Sequence, residues 1–392
     1  MNTCYVLHST RGNSLNTEII VPFDLKIGYL TPKNPIALAP MAGITDSKFA
    51  ARFMDHAGMV ILGGYNLDEP TNDAAQREVK RGRKEFITDS PMEFLESELQ
   101  AITSVDSGTA VMVNVRAADI EAYADAARLA KKYGAGIEIN AHCRQPEMME
   151  LGAGESLLEH LDTLREIIET VRSTGAVVSV KIRANVVDDL EVAQVIDLAG
   201  AHIIHIDAMG GRGADVNVIR KIRNHTSLFI IGNNSIIDYS SAKSMFSRGA
   251  DMVSVARAVM NNPNTLRFLV EQVTSVQMMN GWYNSPKHIC GGGDLRALTF
   301  CCLPVKPCAV HNALKQIGMS AEEFARLKLD FVKGTPLEYG DSTCFGSMAW
   351  CCKISKPCFL RDGVLEVVGV SDMEFMQIKK RMSQEILSHR KK

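Results

Sequence analysis

The chain has 392 residues, 46% of them apolar and 22% charged, which supplies a substantial core and excludes a disordered or low-complexity protein. Its formal net charge of −2 excludes a uniformly basic nucleic-acid binder. The balance is uneven: residues 1–286 hold 27 Lys+Arg against 34 Asp+Glu and residues 287–392 hold 16 against 11, so an anionic partner should favour the C-terminal part.

The N-terminus, Met1 to Val6, has no charged segment leading into an apolar stretch, so no secretory signal is expected. No apolar run is long enough to cross a membrane, and the expected location is cytoplasmic. From residue 36 to 275, short apolar runs alternate with amphipathic stretches. The strand candidates are Ile36–Pro40, Met59–Gly64, Ala110–Val115, Gly136–Asn140, Val177–Arg183, His202–Ala208, Leu228–Asn234 and Met252–Arg257. Helical stretches between them include Ala118–Tyr133, Ser156–Thr174, Leu190–Ala199 and Ala242–Arg248. Nearly continuous apolar strands alternating with helices imply parallel pairing with both sheet faces covered. Eight such units predict an α/β fold of the (β/α)8 TIM-barrel type over residues 1–280. A doubly wound sheet would want a Gly-rich turn after the first strand, and Ala39-Pro40-Met41-Ala42-Gly43 is not one.

Residues 276–286 have the composition of a linker, and residues 286–392 form a second, small cysteine-rich unit. Ser371–Lys392 reads as a terminal helix, with Ser371 as N-cap and Glu374 three residues on. Eight of the ten cysteines fall in this unit: Cys290, Cys301, Cys302, Cys308, Cys344, Cys351, Cys352 and Cys358. Phe300-Cys301-Cys302-Leu303-Pro304-Val305-Lys306-Pro307-Cys308 recurs as Trp350-Cys351-Cys352-Lys353-Ile354-Ser355-Lys356-Pro357-Cys358. An upstream cysteine, Cys290 or Cys344, completes a set of four for each copy. Four thiols suit tetrahedral zinc or an iron–sulfur cluster, and a cytosolic chain should not hold them as structural disulfides. Adjacent cysteines and a Pro beside a ligand favour iron–sulfur over zinc; disulfides or a packed cysteine core are the other options.

Barrel logic directs attention to the C-terminal ends of the strands. The fourth strand ends in Asn140-Ala141-His142-Cys143. A thiol there either exchanges a proton with a bound ligand or fills a small apolar gap. Lys181 and Arg183 share one face of the fifth strand, where each meets an anion, a ligand, or a carboxylate such as Glu138 or Asp207. The seventh strand ends in Gly232-Asn233-Asn234-Ser235 and the eighth in Ala256-Arg257, where such barrels often hold a phosphate.

Ala39-Pro40-Met41-Ala42-Gly43-Ile44-Thr45-Asp46-Ser47-Lys48-Phe49 resembles the opening signature of the tRNA-dihydrouridine synthases, FMN-binding (β/α)8 barrels. The resemblance continues in order through Asn140–Cys143, Gly152–Gly154, Val180–Arg183, Gly232-Asn233 and Arg257. It implies that Pro40, Met41 and Ala42 line the flavin, with Asn114 and Lys181 facing it and Asn140 near the reacting base. Cys143 matches the general acid, and Gly232, Asn233, Ala256 and Arg257 match the phosphate loops. NAD(P)H is an admissible reductant and tRNA the implied partner. Where that family usually has Asn-x-Gly-Cys-Pro, this chain has His142 and Arg144 at the Gly and Pro positions. Asp207, counted here with the cofactor residues, stands where a His is usual.

The cysteine-rich unit resembles the methanogenesis marker 9 domain, which carries two such Cys-Cys…Lys-Pro-Cys motifs. That resemblance implies an archaeal host and an anaerobic cytoplasm. Three functions follow from the whole chain. The first is a flavin oxidoreductase reducing a C=C bond, uridine in tRNA foremost. The second is an iron–sulfur flavoprotein passing electrons to a small molecule or a redox partner protein. The third is a non-catalytic, zinc-type binding protein.

Overall fold

A computed structural model describes residues 25–280, except Lys26, Arg212, Asn224, Ser227 and Ser247, together with Ser371. The eight clustered cysteines, Cys4, and the expected cysteine-rich unit with its terminal helix lie outside the described residues, Ser371 apart.

Eight parallel strands close into a barrel: β1 Ile36–Leu38, β2 Met59–Asn66, β3 Ala110–Arg116, β4 Gly136–Ala141, β5 Val178–Arg183, β6 Ile203–Asp207, β7 Phe229–Asn233 and β8 Met252–Val255. Each pairs with its successor, and β8 returns to β1 with Ile36 opposite Val253. All eight expected strands are present, within a few residues of their expected ends.

The helices are α1 Ser47–Ala51, α2 Glu69–Lys80, α3 Pro91–Thr103, α4 Ile120–Lys132, α5 Pro146–Met149, α6 Leu161–Ser173, α7 Asp189–Leu198, α8 Val216–Arg223, α9 Tyr239–Phe246, α10 Ala258–Asn261 and α11 Thr265–Asn280. Aspartates start several of them: Asp46, Asp68, Asp119 and Asp188 each accept a backbone N–H of the first turn. The stretch expected to be helical from Ser156 divides instead into a 3-10 turn, Gly154–Leu158, followed by α6. Residues 276–280, expected to open a linker, belong instead to α11, and the rest of that stretch lies outside the described residues. Val276-Gln277-Met278-Met279 contains nothing that breaks a helix. A two-stranded ribbon beyond β6, Met209–Gly210 against Gly213–Ala214, is not among the elements expected from the sequence.

Side-chain alternation on the strands divides the interior from the outer layer. Val111, Val113 and Val115 on β3, Ile137, Ile139 and Ala141 on β4, and Val178, Val180 and Ile182 on β5 belong to the strand–helix core. The intervening residues point inward. Near the N-terminal end these are apolar: Ala37, Met59, Ile61, Met112, Ile203, Ile231 and Met252 pack with Leu25, Ile27 and Leu30, which plug the barrel floor. Toward the C-terminal end the inward positions turn polar: Asn114, Arg116, Glu138, Asn140, Lys181, His205 and Asp207. Burying this set costs free energy unless every member is partnered or meets a ligand. Among the described residues no helix is long and apolar enough to cross a membrane.

Candidate active site at the barrel mouth

A cavity of about 970 Å³ opens at the C-terminal ends of the strands. Of the residues selected from the sequence, Pro40, Met41, Ala42, Asn114, Asn140, Cys143, Lys181, Asp207, Asn233, Ala256 and Arg257 all line it. Gly232 does not: a Cβ there would face Met245 of α9 at 3.2 Å, so this glycine serves strand–helix packing.

The loop after β1 is held by Thr45, whose hydroxyl accepts the Met41 N–H at 3.0 Å. Gly43 has φ +66, and a Cβ there would lie 2.5 Å from the backbone of Lys84 and Glu85. Only glycine fits, and the close approach packs the segment carrying Glu85 against this loop.

Beneath the cavity, strand register sets Asn114 opposite Glu138 and Asn140 opposite Lys181. Glu138 accepts from Asn114 Nδ2 at 2.8 Å, Ser179 Oγ at 2.9 Å and His205 Nδ1 at 2.9 Å. Burial alone would raise Glu138, but His205, Lys181 and Asn114 overcome it and hold the carboxyl at about 2. Burial pushes His205 down while Glu138 pulls it up, and its Nε2 lies 2.8 Å from the Ser254 hydroxyl. Asn140 Nδ2 donates to Asn114 Oδ1 at 2.8 Å, while Asn140 Oδ1 accepts the backbone N–H of His142 and Cys143 at 3.0 and 2.9 Å. Asn114 and Asn140 therefore position the Cys143 loop, linking it to a fixed charge beneath the cavity.

Cys143 is half-buried, packed beside Ala74, Ala75 and Met148. Its carbonyl accepts Glu155 N–H at 2.8 Å, and Gly154, at φ +67, leaves room for it: a Cβ would come within 2.3 Å of that oxygen. On its other side lies Arg116, whose Nη1 is 3.4 Å from Sγ. Arg116 is 1% exposed and its Nη2 lies 2.6 Å from Glu85 Oε2.

Lys181 is 5% exposed and lines the cavity, with no hydrogen bond or ion pair among the described residues. Burial lowers it despite the fields of Glu138 and Asp207. Of the two carboxylates suggested by the sequence as partners on β5, neither pairs directly with Lys181. Arg183 instead meets Glu155 at 2.6 Å and stands 3.8 Å from Asp207. Asp207 accepts from Asn234 Nδ2 at 2.7 Å and contacts His142 Nε2 at 2.7 Å. Burial first, with Lys181 and Arg183 adding to it, brings His142 down to about 4 despite Asp207. It is therefore neutral at pH 7. At the rim, the chain leaves β7 through Asn234 and Ser235, both at positive φ, beside the exposed Arg257.

The sequence matches the family described as dihydrouridine synthase (Dus) over residues 37–288. The chain belongs to the dihydrouridine synthase family. tRNA-dihydrouridine synthase B of Pasteurella multocida is 28% identical over 257 residues, covering 62% of this chain and 71% of that protein. Uncharacterized protein MJ0144 of Methanocaldococcus jannaschii is 36% identical over 231 residues, 57% of this chain and 89% of that protein. A second protein of the same organism, uncharacterized protein MJ0115, is 53% identical over 107 residues, 27% of this chain and 69% of its own length. Among solved structures, DHODH from Eimeria tenella in complex with ferulenol superposes with a TM-score of 0.53 at 16% identity, over 70% of this chain and 89% of that one. At that identity the likeness shows the fold alone.

Membership of the dihydrouridine synthase family implies FMN and oxidoreductase chemistry, and the residues present fit that cofactor. Lys181 is a buried amine with no hydrogen bond or ion pair among the described residues, which suits an electron-rich ring edge. Gly64 keeps space open beside Asn114 and Asn140, which a Cβ would reach at 3.0 and 3.4 Å. The usual dihydrouridine synthase pattern is broken at His142 and at Asp207, and these two residues contact each other. Arg144, the third departure, lines the cavity beside them. Glu85, Arg116, Glu155, His205 and Ser254 complete the site and were not selected from the sequence. Arg116 carried a readable signal, since it follows Asn114 by two on an otherwise apolar strand.

Proposed function

We propose that this protein is an FMN-dependent reductase of a carbon–carbon double bond, with uridine in tRNA as the leading substrate. The observation that carries this reading is the convergence of the Cys143 thiol and the unpartnered Lys181 on one cavity beside Pro40, Met41 and Ala42. FMN, when bound and reduced, supplies a hydride. Pro40, Met41 and Ala42 would give its ring an apolar surface, and Lys181 would meet its polar edge. Asn233, Ala256 and Arg257 stand at the rim where a phosphate would be held. Cys143 donates the proton, with Asn140 fixing the loop that aims it. NAD(P)H is the proposed source of electrons. The relative from Pasteurella multocida, by its name a tRNA-dihydrouridine synthase, supports the substrate class.

The test is the dihydrouridine content of tRNA from a host carrying Cys143→Ala. Loss of dihydrouridine at this protein's target positions is expected, from a fall of about a hundredfold or more in the rate of reduction. An unchanged content would remove Cys143 as proton donor for that substrate.

A second reading rests on the duplicated cysteine motif. Cys290, Cys301, Cys302 and Cys308 form one proposed cluster set, and Cys344, Cys351, Cys352 and Cys358 the other. Two iron–sulfur clusters in these sets would exchange electrons with the flavin or with a redox partner protein. Bound zinc would replace that role with an interaction module.

A further inference from the structure

We propose that Arg116 is the positioning residue that makes Cys143 a proton donor, by stabilising the sulfur as its proton leaves. This rests on the reading of Cys143 as general acid and goes beyond it. In that reduction one carbon of the substrate's C=C accepts a hydride from reduced flavin. At the other carbon a C–H bond forms as the S–H bond of Cys143 breaks, and the S–H electron pair remains on sulfur. The developing thiolate is the new charge on the protein, and solvent restores its proton afterwards. A cation held beside the point where charge develops lowers the barrier without reorganising.

Arg116 has the geometry for this. It is enclosed, its Nη1 is 3.4 Å from Cys143 Sγ, and strand β3 fixes its backbone. Its other terminal nitrogen is committed to Glu85, whose side chain is fully enclosed, so the guanidinium cannot turn away. The remaining walls near Cys143 are the apolar Ala74, Ala75 and Met148. Other charged groups are accounted for. Glu78 of α2 lies behind Glu85, with Arg83 3.3 Å from its Oε2. Arg144 follows Cys143 in the chain and lines the cavity. Glu155 is tied to Arg183, and His142 contacts Asp207. Lys181 lines the same cavity. Arg116 is thus the guanidinium in contact with the sulfur, and Glu85 sets how much of its charge the sulfur meets.

The experiment is the pH profile of iodoacetamide labelling at Cys143 in the full chain, read on the Cys143 peptide by mass spectrometry to separate it from the other nine cysteines. Arg116→Met should slow labelling at pH 7 by about tenfold or more and move the profile to higher pH. Arg116→Lys should recover part of the rate. Glu85→Gln should act in the opposite direction and speed labelling, since it removes the neutralising carboxylate. A purely structural role would not give opposite signs. Should Arg116→Met fail to fold, Arg116→Lys and Glu85→Gln decide. Profiles unmoved from wild type would overturn the proposal. The labelling needs no substrate, so a response in a protein that reduces no C=C would keep the Arg116–Cys143 pairing and sink the reductase reading instead.

Discussion

Glu78 shows how a single enclosed group records the electrostatics of this site. Its side chain is fully buried, with Arg83 Nε 3.3 Å from Oε2 as an ion pair and neither oxygen in an aligned hydrogen bond among the described residues. Burial, and then repulsion from Glu85, push it up to about 7. An acid whose folded value is raised binds more protons folded than unfolded, so the folded state loses stability as pH rises from about 4.5 through about 7. Glu78→Gln should therefore raise the melting temperature by a few degrees at pH 8 and change it little at pH 5. A thermal melt at the two pH values checks this, and an equal change at both would contradict the assignment. Glu78 was invisible in the sequence because nothing along the chain shows that the segment just after α2 packs against Gly43 and brings Glu85 and Arg83 to it. Asn140 and Lys181 were visible because they interrupt apolar strands, and Cys143 because it follows one, at the ends where barrels place chemistry. The pairing of His142 with Asp207 was hidden by their separation along the chain, 65 residues. Taken singly, each is an isolated departure from the family pattern.

At the scale of elements, the strands were legible because burial on both faces leaves continuous apolar runs. The expected starts at Ala118 and Leu190 lie within two residues of α4 and α7, whereas α1 and α2 were not expected and at Ser156 the chain makes a 3-10 turn before α6. That turn supports the site, since Gly154 opens it and lets the Cys143 carbonyl approach. Gly154→Ala forces a Cβ onto that oxygen at a positive φ, and should destabilise the protein by about 1–3 kcal/mol. Denaturant unfolding measures the loss, and a neutral result would mean that the loop adapts without strain. The ribbon Met209–Gly210 with Gly213–Ala214 was unreadable, since four residues carry no periodic signal. It borders a second cavity of about 730 Å³ that shares Arg183 and Met209 with the first.

Across the whole molecule, the net charge of −2 is a cancellation between an acidic barrel region and a basic C-terminal region. The barrel interior repeats the division on a smaller scale, apolar at its floor and polar at its mouth. A polar mouth with an unpartnered Lys181 is costly for a packed core and suits a protein completed by an anionic, ring-bearing ligand. Membership of the family implies FMN as that ligand. The sequence's two cysteine sets suggest a second redox centre. The measurement that tests the central claim most directly is the cofactor content of the full chain purified without oxygen, assayed for flavin, iron, sulfide and zinc. The account predicts FMN in amounts equimolar with the chain, depleted by Lys181→Met, with iron and sulfide alongside it. A flavin-free protein that takes up no added FMN would contradict it.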